Sequence, residues 1–344
     1  MRASVPPSRE VPAVVPVLRP CARPLAGLIG AVASLGLLSG CVGTEVAAAP
    51  AQVREPAIDH AGAATLFGSL SATRNAANAA RDPAVLARIE TGPVLRSSTF
   101  AFAAQSAQSA APVAPHTSVP GTLAAPTAGT ADWFYSLGAQ GDPAASDGEF
   151  VESTLFTRVS ADAPWLLTYQ LATDPAVPLP QPVLTGGTAV GPDDAGRARG
   201  DAALDEVLDF ARTGQAAPTL DVTDADQLAT AHAQGFPVPD LSPASGTEER
   251  SCGYEEPGPA WLTAAEAIFT LVSVECTQTV ALTGGWTAPT PTTGTLGTVP
   301  AGVRLSAWTV TQTVTVLVEV HDDGTSRVVG SRLRPVRTDV TLAP

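Results

Sequence analysis

Residues 308–320 read Trp308-Thr309-Val310-Thr311-Gln312-Thr313-Val314-Thr315-Val316-Leu317-Val318-Glu319-Val320. Trp308, Val310, Val314, Val316, Val318 and Val320 fall two or four residues apart, the period of a strand with one buried face. Ile268, Val272, Val274, Cys276, Val280 and Leu282 repeat that period upstream. Downstream, Asp323-Gly324 turns the chain back into residues 327–340, so a long antiparallel hairpin is predicted. The sheet half of the fold follows from these residues.

Toward the N-terminus the strand signals recur at residues 133–137, 150–158 and 165–171, and a turn at Asp162-Ala163-Pro164 makes the last two a hairpin. Helical spacings precede them. Ile58, Leu66, Phe67 and Leu70 fall at helical spacings, and Val85, Leu86 and Ile89 follow Asp82-Pro83, an N-cap with proline at N1. Gly92-Pro93 is expected to end that helix, and residues 103–130, rich in Ala, Ser, Pro and Thr, to form a loop. After an irregular connection over 175–200, an acidic helix at 201–212 carries Leu204, Val207, Leu208 and Phe210 on its buried side. Asp224 can cap a short helix through His232, beyond which Pro- and Gly-rich sequence leads to Trp261. Helices followed by antiparallel strands, twice over, predict an α+β fold. Its expected modules are 57–200 and 261–344, joined by a linker with helices at 201–260.

The N-terminus reads as an export signal: Arg2, Arg9, Arg19 and Arg23, an apolar stretch over 25–38, then small residues. As a helix that stretch reaches about 21 Å, short of a hydrocarbon core of about 30 Å, so a permanent span is not expected. Its end, Leu38-Ser39-Gly40-Cys41, resembles the lipobox of bacterial lipoproteins. The resemblance implies cleavage of residues 1–40 and a diacylglyceryl thioether on Cys41. The Ala- and Pro-rich residues 41–56 then suit a tether from membrane to fold. Two acyl chains give a stable anchor where one does not.

Composition agrees with an acidic envelope protein. All nineteen basic residues are arginines, the 344-residue chain carries −14, and removing the leader leaves −17. Such a charge is repelled by phosphate polymers, so no nucleic-acid partner is expected. With Cys21 lost and Cys41 acylated, Cys252 and Cys276 remain as an isolated pair in an oxidising setting, and a disulfide is expected.

No catalytic, cofactor-binding or metal site is expected. His60, His116, His232 and His321 stand apart from any Gly-x-Ser-x-Gly elbow, and no glycine-rich phosphate loop occurs. Asp221, Asp224 and Asp226 lack the central glycine and distal glutamate of a calcium loop; Asp193-Asp194, Glu255-Glu256 and Asp322-Asp323 are the other acidic groups. Residues 133–135 and 165–169 supply aromatics that could line a pocket mouth, although core is their commoner place. Arg327, Arg332, Arg334 and Arg337 form the one basic concentration. Arg332 and Arg334 share a strand face, which reads either as a charge-protected edge or as a strip docking an anion or an acidic envelope protein.

The lipobox, the tether, Pro83-Ala84-Val85-Leu86-Ala87-Arg88-Ile89-Glu90-Thr91-Gly92-Pro93, Trp133-Phe134 and Pro164-Trp165-Leu166-Leu167 resemble an uncharacterised group of actinobacterial envelope lipoproteins. The resemblance implies modules of the nuclear-transport-factor-2-like (NTF2-like, cystatin-like) type, in which N-terminal helices pack on a curved antiparallel sheet. That fold hosts enzymes and binding modules alike. The expectation is a lipid-anchored binding or scaffolding protein without cofactors at the outer face of the cytoplasmic membrane. The alternatives are an enzyme of the same fold with dispersed acid/base residues, or a lipoprotein that binds a small molecule.

Overall fold

The computed structural model describes residues 55–107, 115, 117–129, 132–141, 151–173, 177–223, 228, 246–255, 257–287 and 302–343. The export signal, Cys41, most of the tether, His116, His232 and, apart from Leu228, the short helix expected after Asp224 lie outside the described residues. Residues 52–344 form one compact unit.

The chain opens with three helices, α1 (His60–Ala80), α2 (Pro83–Leu86) and α3 (Gly92–Ala107). Asp59 caps α1 by accepting from the Gly62 amide at 2.7 Å, and Asp82 caps α2 with Pro83 at N1. Strands β1 (Ser118–Val119), β2 (Thr122–Ala124), β3 (Trp133–Gly141), β4 (Val151–Thr157), β5 (Leu166–Thr173), β6 (Leu184–Thr185) and β7 (Thr188–Ala189) follow. Then come α4 (Asp194–Thr213), β8 (Leu220–Asp221), β9 (Gly246–Tyr254), β10 (Trp261–Leu262), β11 (Ile268–Thr287), β12 (Arg304–Val320) and β13 (Ser326–Leu342).

Among the described residues the strands make two main sheets and a small ribbon, β6-β7. The first sheet runs β1-β3-β4-β5, with β2 also on β3; the second runs β10-β11-β12-β13-β8, with β9 also on β11. Pairing is antiparallel except for the short β13-β8 contact. Period-two alternation decides what each face meets. On one face of the second sheet Ile268, Val272, Val274, Val314, Val316, Val318 and Val328 pack on Leu204, Val207, Leu208 and Phe210 of α4. On its other face Phe269, Leu271, Leu317 and Val329 meet Tyr135, Leu137, Leu155, Tyr169 and Leu171 of the first sheet. The far side of the first sheet, through Phe134, Phe156 and Leu167, packs on Ala63, Phe67 and Leu70 of α1 and Val94 of α3. The layers are helix, sheet, sheet, helix, and the fold is α+β with mostly antiparallel sheets.

Several boundaries differ from the sequence expectation. Gly92-Pro93 does not end a helix but begins α3, because a proline in the first turn gives up an amide that has no helical acceptor anyway. The expected loop over 103–130 therefore contains the end of α3 as well as β1 and β2. α4 starts earlier than residue 201, since Asp193 caps it at the Gly196 amide, 2.7 Å, and Gly214 ends it at φ 70°. The stretch expected as a linker supplies the end of α4 and the whole of β9, which extends the second sheet. The two expected modules, 57–200 and 261–344, lie within one compact unit and share the apolar layer between the sheets.

Candidate functional site

The site is a half-buried arginine cluster at the free edge of β5, where the first sheet meets β13. β5 ends its sheet, and residues 89–91 cover part of its edge: Leu167 donates to the Ile89 carbonyl at 2.8 Å and Thr91 donates to the Leu167 carbonyl at 3.0 Å. This clamp buries Glu90. Its Oε1 accepts from Arg74 Nε of α1 at 2.6 Å, while its Oε2 is buried with no partner among the described residues. Arg74 also donates through Nη2 to Gln170 Oε1 of β5 at 3.0 Å.

Arg334 approaches the same amide from β13. Its Nη2 donates to Gln170 Oε1 at 3.2 Å and to the Gln170 carbonyl at 3.4 Å, and its Nε is buried without a partner. One amide oxygen thus holds two guanidinium groups from different layers. Arg332 lies two residues away on β13, opposite Thr315, as Arg334 lies opposite Thr313. Burial disfavours the charged form of both, and for Arg334 the neighbouring Arg332 and Arg74 add repulsion that Glu90 and Glu152 partly offset. The guanidinium nevertheless keeps its proton at any ordinary pH. Such groups can recognise an anion but cannot carry a proton in a reaction.

The docking strip expected at Arg332 and Arg334 is therefore not an open, solvated surface. Both side chains are half-buried, and Arg334 is directed at Gln170 on the β5 edge, because β13 crosses there instead of ending a free sheet. Of the same basic group, Arg337 is exposed and pairs with Asp339 at 2.7 Å, and Arg327 pairs with Glu319 at 2.7 Å.

The remaining sequence candidates have structural duties. Cys252 and Cys276 are disulfide-bonded, directly opposite each other on β9 and β11 with Cα atoms 4.1 Å apart. Tyr135 and Trp261 sit with ring centroids 4.2 Å apart inside the sheet-sheet layer, so the aromatic stretch is core and not a pocket mouth. Phe134 stacks on Phe156 at 4.8 Å, and Trp165 meets Phe134 edge-on. Asp193 caps α4, Asp221 accepts from Thr223, Asp322 pairs with Arg199, and Asp323 closes the β12-β13 turn through Thr325. Among the described residues no cluster of His, Cys, Asp and Glu is arranged to hold a metal, and no helix is long and apolar enough to cross a membrane. Sequence reasoning singled out Arg332 and Arg334 but missed Arg74, Glu90 and Gln170. A cluster assembled from α1, a turn and an edge strand leaves no local spacing to read.

Fold and site together define an α+β unit of two face-packed antiparallel sheets with a cationic cluster at their junction. The chain belongs to the family described as Domain of unknown function (DUF8094), whose model matches residues 54–334. No curated protein and no solved structure matches the chain.

Proposed function

We propose that this protein is a lipid-anchored extracytoplasmic binding or scaffolding protein, tethered through Cys41 at the outer face of the cytoplasmic membrane. The observation that carries the binding reading is that the side of each sheet facing its helices is filled. A cone-shaped fold used as an enzyme or a carrier keeps a hollow there, with polar groups facing each other across it. Here Phe67, Leu70, Phe134 and Phe156 in the first half and Leu204, Val207, Val272 and Val316 in the second take up that space, leaving the periphery for recognition. Two NTF2-like halves remain the finer reading. Its support is that each half lays helices on an antiparallel sheet, α1 and α3 on the first and α4 on the second.

For the anchor, the support is the lipobox followed by the short Ala- and Pro-rich stretch after Cys41. The test is metabolic labelling with a tagged fatty acid and membrane fractionation. The native chain should carry the label and sediment with membranes, whereas Cys41→Ala should remain unprocessed at this site and unlabelled. Label on the Cys41→Ala chain would overturn the assignment.

A further inference from the structure

Residues 55–57 and the β4-β5 turn are held to the same place, the connection between β2 and β3. Ala128 donates to the Glu55 carbonyl and Ala57 to the Pro126 carbonyl, each at 2.9 Å. From the other side, the Arg158 amide donates to the Asp132 carbonyl at 3.0 Å, and its Nε donates to Asp132 Oδ1 at 2.9 Å. Arg158 also donates through Nη1 to the Ala161 carbonyl at 2.9 Å, and its guanidinium lies 4.2 Å from the centroid of the Trp165 ring. The one basic group of the turn is therefore directed inward and met by a carboxylate. What the turn presents outward is Val159, 93% exposed, with Ser160, Ala161 and Pro164 exposed beside it. A single exposed valine is ordinary on a protein surface, and Val119 is one, 60% exposed at the opposite end of the first sheet, where it faces Gln140. Val159 differs in being held on a braced turn at the end of the sheet where the chain enters the fold.

We infer that the β4-β5 turn rests on the lipid surface, with Val159 entering the headgroup layer, so that the first sheet meets the membrane by the end that carries Glu55. The inference rests on the lipid anchor proposed above. Fourteen residues separate Cys41 from Glu55, a stretch of at most about 50 Å, so an acylated Cys41 keeps this end within reach of the bilayer. One valine gains too little to bind a free protein to a membrane. The anchor makes the contact intramolecular, at an effective concentration of about millimolar, where a weak contact is populated. Asp162, exposed on the same turn, keeps the contact shallow, because deeper entry would strip its carboxylate of water. Zwitterionic headgroups fit this turn better than anionic ones, which repel a strongly acidic chain.

The test uses the full processed lipoprotein in phosphatidylcholine vesicles. With Cys41 acylated and Cys252 bonded to Cys276, a cysteine introduced at the surface is the free thiol that takes an environment-sensitive fluorophore. The label on Ser160→Cys should shift its emission to the blue and be quenched by lipid spin-labelled near the headgroup. The same label on Val119→Cys should show neither effect, and adding Val159→Asp to Ser160→Cys should abolish both. All three positions are exposed, so the variants leave the core untouched. The anchor is read separately on the same samples, by flotation with the vesicles and by the acyl mass on the Cys41 peptide. Floated, acylated protein with no quenching at residue 160, with equal quenching at 119, or with quenching unchanged by Val159→Asp overturns the contact while leaving the anchor standing. Protein that neither carries acyl chains nor floats overturns the anchor and the contact with it.

Discussion

Glu255 shows how one residue ties stability to pH. Its carboxyl lies just after β9, largely buried, and pairs with Arg96 of α3, which also reaches Glu275 of β11 at 3.2 Å. Burial raises its pKa above the ordinary value of 4.5; Arg96 opposes the rise and Glu275 adds to it. A carboxyl whose pKa is higher folded than unfolded binds its proton more tightly when folded. Its stabilising contribution is therefore complete below the unfolded value and is lost as pH rises through the folded one. Glu255→Gln should remove this dependence. In paired thermal melts across the acid range, the wild type should lose ground to the variant as pH rises from below 4.5 to neutrality. A Tm difference constant with pH would contradict the assignment. At this scale the sequence could show that Arg332 and Arg334 share a face, but not which way the face turns, because that depends on the strand crossing beside it.

Among the elements, legibility followed periodicity. β11 and β12 were readable because apolar residues, mostly Val, alternate with polar ones along them, β13 because Asp323-Gly324 turns the chain back, and the β4-β5 hairpin because its turn residues separate two apolar runs. β9 was not. Its sequence, Gly246-Thr247-Glu248-Glu249-Arg250-Ser251-Cys252-Gly253-Tyr254, has no apolar alternation, since it is an edge strand that buries Cys252 and leaves most of its neighbours exposed. What holds it is the ladder to β11, the Arg212 guanidinium donating to the Cys252 carbonyl at 2.9 Å, and the disulfide. The bond closes a separation of 24 residues, which in the chain-entropy model contributes roughly 3.5 kcal/mol. Reduction, or the Cys252→Ser/Cys276→Ser double variant, should lower stability by about 2–4 kcal/mol. Hydrogen exchange should rise first in β9, with the β11-β12 pairing kept to higher denaturant. Equal exchange in β9 before and after reduction would show that the ladder alone holds the strand.

At the scale of the whole molecule, residues 57–200 and 261–344 share one apolar layer, for a reason the sequence does contain. Phe269, Leu271 and Leu317 interrupt the one-sided alternation of their strands, and apolar residues on both faces are what a sheet covered on both sides requires. The second cover is the first sheet, which no local pattern could identify. Gly330 marks how close the two come: a Cβ there would lie 2.5 Å from Thr173 Cγ2 and 3.1 Å from Leu171 Cδ1. Since Trp261, Phe269 and Leu271 are buried only by joining this shared layer, neither half completes a core alone. The full chain should therefore unfold in one transition, with tryptophan fluorescence and far-UV circular dichroism coinciding. Gly330→Val should shift both probes together, by about 1–3 kcal/mol, because overpacking this contact strains the layer both sheets share. A fragment of residues 201–344 should lack cooperative melting, as it would expose the face formed by Phe269, Leu271, Leu317 and Val329. Two resolved transitions in the full chain, or a fragment that melts sharply by itself, would restore the picture of independent modules.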